Sequence, residues 1–289
     1  PPNFGGLFFA CVLTFFNIML VFAYAIKSIT REKGNKMSDN TNYSALLNQA
    51  ITQKGYISQC YSVFYEYSIG NQFLAMGQLI GRNLPITPIA TYKKWLELGR
   101  TVQKGQKAIS LVMPVSFNKK DKNGEKTEQK ISTFILRPKW FAMSQTEGEK
   151  YTPPAFIPNW DEKKALTTLD IERVPFEHIS GNCQGYAASN KVAINPVAKY
   201  PEKTLFHELA HVVLGHTKES LMSDTEQTPL NIKEVQAESV AYIICSILSV
   251  GNLNTCAGYI QSWLKNEVVA NKEAQQIFSA ANKILKAGQ

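Results

Sequence analysis

Apolar residues recur at helical spacing near the start and near the end of the chain, with strand-like runs between them. Over residues 43–80, Leu, Ile, Tyr and Phe alternate with small polar residues, and Gly55 and Gly70 interrupt the pattern. This spacing predicts two or three short helices. Residues 91–100 (TYKKWLELGR) predict another short helix, which Gly99 would end.

Two pairs of strand-like runs predict two β-hairpins. Residues 108–117 and 131–143 are rich in β-branched and aromatic side chains, and they flank a charged turn that contains Asn123-Gly124. Further along, the runs GYAAS and KVAIN flank Ser189-Asn190 in the same way. The segment GEKYTPPAFIPN, with three prolines, lies between the two hairpins and is typical of a linker.

This order of elements predicts an α+β fold built from two domains. We expect a small α+β domain at residues 37–147, a linker at 148–160 and a second domain at 161–289 that contains the second hairpin. Beyond residue 253 the apolar spacing predicts two more helices.

The string TLFHELAHVVLGHT contains the HExxH pattern as His207, Glu208 and His211. On a helix, two histidines four residues apart stand about 40° and roughly 6 Å apart, so both imidazoles can bind one metal ion. A glutamate between them then flanks the open coordination position. The pattern therefore predicts a site for Zn²⁺, with Glu208 as the catalytic general base of a hydrolase.

A catalytic zinc ion needs a third protein ligand and an open position for water. Thr217 stands where the metzincin pattern HExxHxxGxxH has its third histidine. Instead, an apolar helix predicted over about residues 233–250 carries Glu234 and Glu238 one turn apart, 23 and 27 residues after His211. This arrangement resembles gluzincins, in which HExxH is followed by ExxxD.

We predict that Glu234 is the third metal ligand and that Glu238 accepts a hydrogen bond from a ligand histidine. Glu238, which stands in place of the usual Asp, is the alternative ligand. His216 follows the helix-ending Gly215 and is predicted to cap the helix rather than to bind metal. The run KVAIN is predicted to be an edge strand along which a substrate peptide would lie.

The net charge of +8 is unevenly distributed along the chain. Residues 37–150 hold 15 Lys and Arg against 8 Asp and Glu, whereas residues 151–289 hold 12 against 14. A basic first half suggests a module that meets a polyanion, although basic surfaces often serve solubility alone. The five cysteines are scattered and include no CxxC pair, which is typical of reduced thiols in a cytoplasmic protein.

Within the first half, aromatic and basic residues are interleaved over sixteen positions. Aromatic faces stack on unpaired bases and lysines neutralise phosphates, so this mixture suits single-stranded nucleic acid. Two of the aromatic residues stand three positions apart on a short helix and are equally consistent with a hydrophobic core. The candidate nucleic-acid-binding residues are Tyr92, Lys93, Lys94, Trp95, Arg100, Lys104 and Lys107.

The first 36 residues contain a long apolar segment. Residues 5–26 carry no charge over 22 positions, which is long enough to span a bilayer, and basic residues follow. If this segment inserts, the rest of the chain stays on the cytoplasmic side of the inner membrane. The chain opens with Pro-Pro, however, and a polar sequence begins at Met37, so the alternative we favour is that residues 1–36 are translated upstream sequence.

Four motifs in a fixed order resemble the ArdC-type antirestriction proteins: ATYKKWLELGRTVQKGQKAI, RPKWFAMSQTEGE, PEKTLFHELAHVVLGHT and EVQAES. The resemblance covers about residues 40–250. It implies an N-terminal domain that binds single-stranded DNA, joined to a C-terminal zincin-like metallopeptidase domain, in a protein of a plasmid, phage or other mobile element. It further implies that the basic residues of the interleaved run contact DNA.

Three functions remain open from the sequence. In the first, DNA binding localises an active zinc peptidase in the cytoplasm, and its protein substrate is unknown. In the second, the chain is a DNA-binding protective factor whose metal site is structural or vestigial. In the third, it is a regulatory protease that resembles the ImmA/IrrE group. Glu208 favours catalysis, because a purely structural site does not need a general base.

Overall fold

Residues 43–80 form three helices, as their apolar spacing predicted. The computed structural model describes residues 41–120, 126–154, 157–177, 183–217, 230–251, 269–289 and the single positions 253, 258 and 260. The helices are α1 (Tyr43–Thr52), α2 (Tyr56–Phe64), α3 (Ile69–Gly81), α4 (Tyr92–Glu97), α5 (Glu162–Leu169), α6 (Pro201–Val213), α7 (Leu230–Leu248) and α8 (Asn271–Gly288). The strands are β1 (Ile89–Thr91), β2 (Arg100–Val102), β3 (Ile109–Lys120), β4 (Lys126–Ala142), β5 (Thr146–Gly148), β6 (Glu172–Arg173), β7 (Gly185–Ala188) and β8 (Lys191–Ile194).

Helices and antiparallel strands occur together in the described chain, which confirms the predicted α+β class. Both predicted hairpins form: β3 pairs with β4, and β7 pairs with β8, each antiparallel. The turn at Asn123-Gly124 and the apolar segment 5–26 lie outside the described residues. Within the described part of the chain, no helix is both long enough and apolar enough to cross a membrane.

The described residues group into two compact units: those of Pro1–Ala45 with Phe73–Pro154, and Leu46–Gln72 with Ala155–Gln289. The sequence predicted residues 46–72 to belong to the first domain, whereas the structure groups them with the second unit. The physical reason is that helix α2, which lies within residues 46–72, packs against helix α7 of the second unit. The Ser58 hydroxyl donates to the Ser246 carbonyl at 2.8 Å, and the apolar face of α2 is buried, including Cys60 and Phe64.

The first unit is built on a sheet in the order β1-β4-β3 and a second, two-stranded sheet of β2 and β5. Helix α4 begins where the Thr91 side chain accepts a hydrogen bond from the Lys94 backbone amide, and it ends before Gly99, whose φ of 69° is left-handed. The core of this unit includes Trp95 and Leu111, which are 1% and 0% exposed.

The second unit combines a three-stranded sheet, in the order β6-β8-β7, with helices α6, α7 and α8. Helix α7 is buried from Val235 to Ile247, a stretch that contains the continuous apolar run VAYIIC. The prediction that KVAIN is an edge strand is wrong. It forms β8, which pairs with β6 on one side and β7 on the other, so β7 is the edge strand next to it.

Candidate metal centre and nucleic-acid surface

Helix α6 carries both histidines of the HExxH pattern on one face. It starts at Pro201, whose missing N–H is tolerated in the first turn, and Glu202 in the same turn complements the positive end of the helix dipole. Strands β7 and β8 pack against this helix, as does α7, which brings Glu234 and Glu238 to the histidines.

The side chains of His207, His211 and Glu234 converge, with one ligand atom from each lying within 4.8 Å of the others. The two imidazole Nε2 atoms are 3.1 Å apart. The Glu234 carboxylate oxygens lie 3.4 Å from Nε2 of His207 and 3.5 Å from Nε2 of His211. Among the described residues, this is the group of three or more His, Cys, Asp or Glu side chains that has metal-binding geometry.

These distances suit a small divalent cation. In a tetrahedral zinc site with bonds of about 2.0–2.1 Å, neighbouring ligand atoms stand roughly 3.3 Å apart. The two Nε2 atoms are separated by 3.1 Å, which is close to that value, and each lies 3.4 or 3.5 Å from a different oxygen of Glu234. Two neutral imidazoles and one carboxylate are also a donor set that catalytic zinc sites use. The donor set and the convergence of the three side chains therefore fit a divalent metal ion.

The charges around His207 favour its protonated form when no metal competes for it. Burial acts to lower the pKa of His207, but hydrogen bonds with Glu234 and Glu238 outweigh burial and raise the pKa from 6.5 to about 9. The nearby imidazoles of His207 and His211 hold the pKa of Glu234 far below its usual range. The carboxylates of the site are therefore ionised, and a cation that binds there displaces the proton of His207.

Glu238 contacts the other nitrogen of the same imidazole, with its Oε2 3.2 Å from Nδ1 of His207. The ammonium group of Lys203 forms an ion pair with Oε1 of Glu238 at 2.7 Å. Burial alone would raise the pKa of Glu238, but the hydrogen bonds from His207 and Lys203 lower it to about 2. Glu234 thus lies beside Nε2 of both histidines, whereas Glu238 contacts Nδ1 of His207.

Glu208 is 8% exposed, and burial raises its pKa, although the charges of His207 and His211 oppose this effect. A raised pKa brings a carboxylate closer to the range in which it can accept and release a proton near neutral pH. Strand β7 approaches this residue closely: a Cβ at Gly185 would lie 3.3 Å from Cγ of Glu208. The candidate base therefore stands beside the edge strand of the sheet.

His216 has a contact that the sequence did not predict. The helix ends with Gly215 at a φ of 76°, the amide of Gly215 donates to the Val212 carbonyl, and the amide of His216 donates to the His211 carbonyl. This pair of hydrogen bonds is a Schellman motif, which brings the residue after the glycine against the residue at the far end of the last turn. As a result, Nδ1 of His216 lies 3.1 Å from Nδ1 of His211.

The His216 ring therefore does more than the capping role predicted for it, because its side chain contacts another ring and an amide. Its Nε2 lies 3.1 Å from Oε1 of Gln236, and the Gln236 amide donates to Oε1 of Gln276 at 2.9 Å. Burial and the charge of His211 lower the pKa of His216 from 6.5 to about 4, so the ring is neutral at neutral pH. The glycine after the helix was the sequence signal for this contact; Lys203 and Gln236 had none.

In the first unit, several of the candidate DNA-contact residues are exposed to solvent. Tyr92 is 48% exposed on the first turn of α4, and the neighbouring Lys93 and Lys94 are exposed as well. Lys104 and Lys107 are exposed in the loop after β2. Lys94 forms a solvent-exposed ion pair, at 3.5 Å from Glu97, so its charge is accessible to an anion.

Two other candidates in this group have structural roles. Trp95 is 1% exposed, its indole N–H donates to the Phe141 carbonyl at 2.8 Å, and its ring packs edge-on against Tyr151. A ring buried in this way does not offer a face to a base, so Trp95 is removed from the stacking residues. The guanidinium of Arg100 donates to the Thr146 side chain and to the carbonyls of Thr146 and Glu149, which commits it to the β2-β5 pair.

Comparison with known proteins relates part of the chain to a family and most of it to a known fold. Residues 44–140 match the family model described as the N-terminal domain of anti-restriction factor ArdC. The uncharacterized protein pXO2-81 of Bacillus anthracis is 26% identical over 293 residues, which cover 83% of this chain and 47% of that protein. The chain thus spans about half the length of the curated relative that it matches.

Among solved structures, the metal-free crystal structure of the antirestriction ArdC protein from plasmid R388 matches with a TM-score of 0.50 at 20% identity. The match covers 85% of this chain and 94% of that chain, which extends the similarity of fold to both units. The Mn(II)-bound structure of the same protein matches with a TM-score of 0.48 at 17% identity.

Proposed function

We propose that this chain, an ArdC-type protein, is a single-stranded DNA-binding antirestriction protein of a mobile element that carries a metal-dependent peptidase. The observation that carries the peptidase half is the convergence of His207, His211 and Glu234 beside the buried Glu208. The match of residues 44–140 to the ArdC N-terminal domain supports the DNA-binding half.

In this proposal, His207, His211 and Glu234 hold a zinc ion, His207 and His211 through Nε2 and Glu234 through its carboxylate. A divalent ion in such a site lowers the pKa of a water molecule that it binds towards about 7 and polarises a substrate carbonyl. The ionised Glu238, paired with Lys203, accepts the Nδ1 proton of His207 and fixes the orientation of that ring.

Glu208 is the general base. Its carboxylate accepts a proton from the attacking water and delivers it to the leaving amine of the peptide bond. The raised pKa that burial produces suits this role, because a stronger base accepts a proton more readily near neutral pH.

Strand β7 is the proposed binding edge for the peptide. It is the outer strand next to β8, and it runs so close to the helix that a Cβ at Gly185 would lie 3.3 Å from Cγ of Glu208. A substrate in extended conformation would pair its main chain with β7, which gives affinity with little dependence on side chains. The scissile bond would then lie between this edge and the HExxH helix.

In the first unit, the exposed Tyr92, Lys93 and Lys94, together with Lys104 and Lys107, form the proposed contact surface for single-stranded DNA. The lysines neutralise phosphates, and the exposed Tyr92 ring is available for stacking on a base. A DNA-binding module joined to a peptidase would concentrate the peptidase on proteins that act on incoming DNA.

The experiment is a parallel assay of peptidase activity and DNA protection in wild type and Glu208→Gln. Glutamine keeps the size of the side chain but cannot accept the proton, so peptidase activity on fluorescently labelled casein should fall by about 10²–10⁴-fold. The metal content should not change. The same loss of DNA protection would link the two activities; unchanged protection would support a purely DNA-binding protective factor.

A further inference from the structure

The two candidate metal ligands on α6 differ in what holds their second nitrogen. Nδ1 of His207 faces the carboxylate of Glu238 at 3.2 Å, as expected of a metal-binding histidine. Nδ1 of His211 instead faces Nδ1 of His216 at 3.1 Å. A contact between two imidazole nitrogens is a hydrogen bond only if one carries a proton and the other does not.

The partners of the two rings determine which nitrogen donates. Oε1 of Gln236 can only accept, so the nitrogen of His216 that faces it, Nε2, carries the proton. If His216 carries only this one proton, its Nδ1 accepts a hydrogen bond from Nδ1–H of His211, which is the proton that a His211 ring bound to metal through Nε2 retains. The protons are thus ordered from His211 through His216 to Gln236, and the Gln236 amide in turn donates to Gln276.

This order leaves Nε2 of His211 without a proton, which is the form a metal ligand requires. The contacts of His216 with His211 and Gln236 involve only side chains of this chain, so they orient the His211 ring and keep its Nε2 free of a proton before a cation binds.

We propose that His216 and Gln236 are positioning residues that fix the Nδ1–H tautomer and the ring orientation of His211. The Schellman motif at Gly215 supplies the placement of His216, and Gln236, only 2% exposed on α7, supplies the acceptor. This inference rests on the metal-binding role proposed for His211, since it deepens the account of that same site.

The test uses the full chain in two substituted forms of His216. His216→Asn keeps an acceptor oxygen close to the position of Nδ1, whereas His216→Leu removes it. In metal-free wild type, long-range ¹H–¹⁵N correlation spectra should show His211 as the Nδ1–H tautomer. His216→Leu should give a mixture of tautomers and weaken Zn²⁺ binding roughly 10–100-fold, and His216→Asn should restore most of both.

Zn²⁺ affinity alone would be measured by competition with a chromophoric chelator, so no substrate is needed. A His211 tautomer and a Zn²⁺ affinity in His216→Leu equal to those of wild type would overturn the proposal. If His216→Leu does not fold, Gln236→Leu provides the second variant, and it should release the tautomers of both His216 and His211. Wild type that binds no Zn²⁺ would instead refute the proposed metal site, while the metal-free spectra would still decide the role of His216.

Discussion

The His207 ring is held by three carboxyl or imidazole neighbours, and its protonation determines how the site meets a cation. Glu234 and Glu238 raise its pKa to about 9, and Lys203 keeps Glu238 ionised. HExxH and the spacing of the two glutamates were enough to predict that His207, Glu234 and Glu238 would lie together. Lys203 was not predictable, because a lysine one turn before the motif is indistinguishable from a surface charge until α7 places Glu238 beside it.

The charge state of His207 predicts how Zn²⁺ affinity depends on pH. A cation must displace the proton of His207, so below a pKa of about 9 the affinity should rise about tenfold per pH unit and level off above it. Isothermal titration at pH values of about 7, 8 and 9 in several buffers would measure both the affinity and the released proton. In Glu238→Gln, which removes one of the groups that raise the pKa of His207 but is not a proposed ligand, the region of steep dependence should move to lower pH.

The stability of the metal-free protein should also depend on the protonation of His207, but it should fall as pH rises, whereas Zn²⁺ affinity should increase. Because the pKa of His207 is raised on folding, its contribution is complete below the unfolded value of 6.5 and is lost as pH rises through about 9. The Tm of metal-free protein should therefore fall across this range while that of the Zn²⁺-loaded protein should not. A Zn²⁺ affinity that is independent of pH from about 7 to about 9 would contradict this description of His207.

The contact between strand β7 and helix α6 depends on one glycine. A Cβ at Gly185 would lie 2.7 Å from Cγ2 of Thr204 and 3.0 Å from the Ala193 carbonyl oxygen, so only glycine lets the strand approach this closely. The approach brings the proposed peptide-binding edge within reach of Glu208, which lies on the same helix one turn after Thr204.

Gly185→Ala tests this packing. The methyl group should push β7 away from α6, destabilise the protein by about 1–3 kcal/mol and lower peptidase activity by raising KM more than by lowering kcat. Chemical denaturation and steady-state kinetics would measure the two effects. Adding Thr204→Ser removes the nearest clashing atom and should recover part of both losses; wild-type stability and KM in Gly185→Ala would refute the proposed role of this contact.

The strands themselves were easier to predict than their order in the sheet. Hairpin β7-β8 followed from the two apolar runs around Ser189-Asn190, but the alternation does not say which strand is inside the sheet. In β8 the residues Val192, Ala193 and Ile194 are all buried, and a continuous apolar run is the pattern of a strand covered on both faces. Such a run in KVAI was the available signal that β8 is central, and β6, with only two residues, had too short a pattern to be predicted.

At the scale of the whole molecule, the exposed basic residues and the candidate metal ligands lie in different units. The basic surplus lies in the first half, where Tyr92 and four lysines of the interleaved run are exposed, while the convergent His and Glu side chains lie in the second unit. Sequence could locate the charge but could not distinguish Trp95 from Tyr92, because a helix of six residues has no clear apolar face. Burial of Trp95 in the core is a tertiary property.

The affinity for single-stranded DNA tests the DNA-binding role proposed for the first unit. Lys93→Ala combined with Lys94→Ala should weaken binding of an oligonucleotide and reduce the slope of log K against log salt by about 1.4, or roughly 0.7 for each phosphate that is no longer neutralised. A matched control is Lys163→Ala with Lys164→Ala, an adjacent pair that is also exposed, on α5 in the second unit. Equal effects of the two double substitutions would mean that net charge alone, rather than the α4 surface, determines binding.

The central claim is that two histidines on α6 and one glutamate on α7 together hold a metal ion. The most direct measurement is a crystal structure of the Zn²⁺-loaded protein with anomalous scattering recorded on both sides of the zinc absorption edge. We predict one strong zinc peak about 2.0–2.2 Å from Nε2 of His207, Nε2 of His211 and a carboxylate oxygen of Glu234, with Glu238 remaining on Nδ1 of His207. A zinc ion bound by Glu238 in place of Glu234, or no peak between α6 and α7, would contradict the claim.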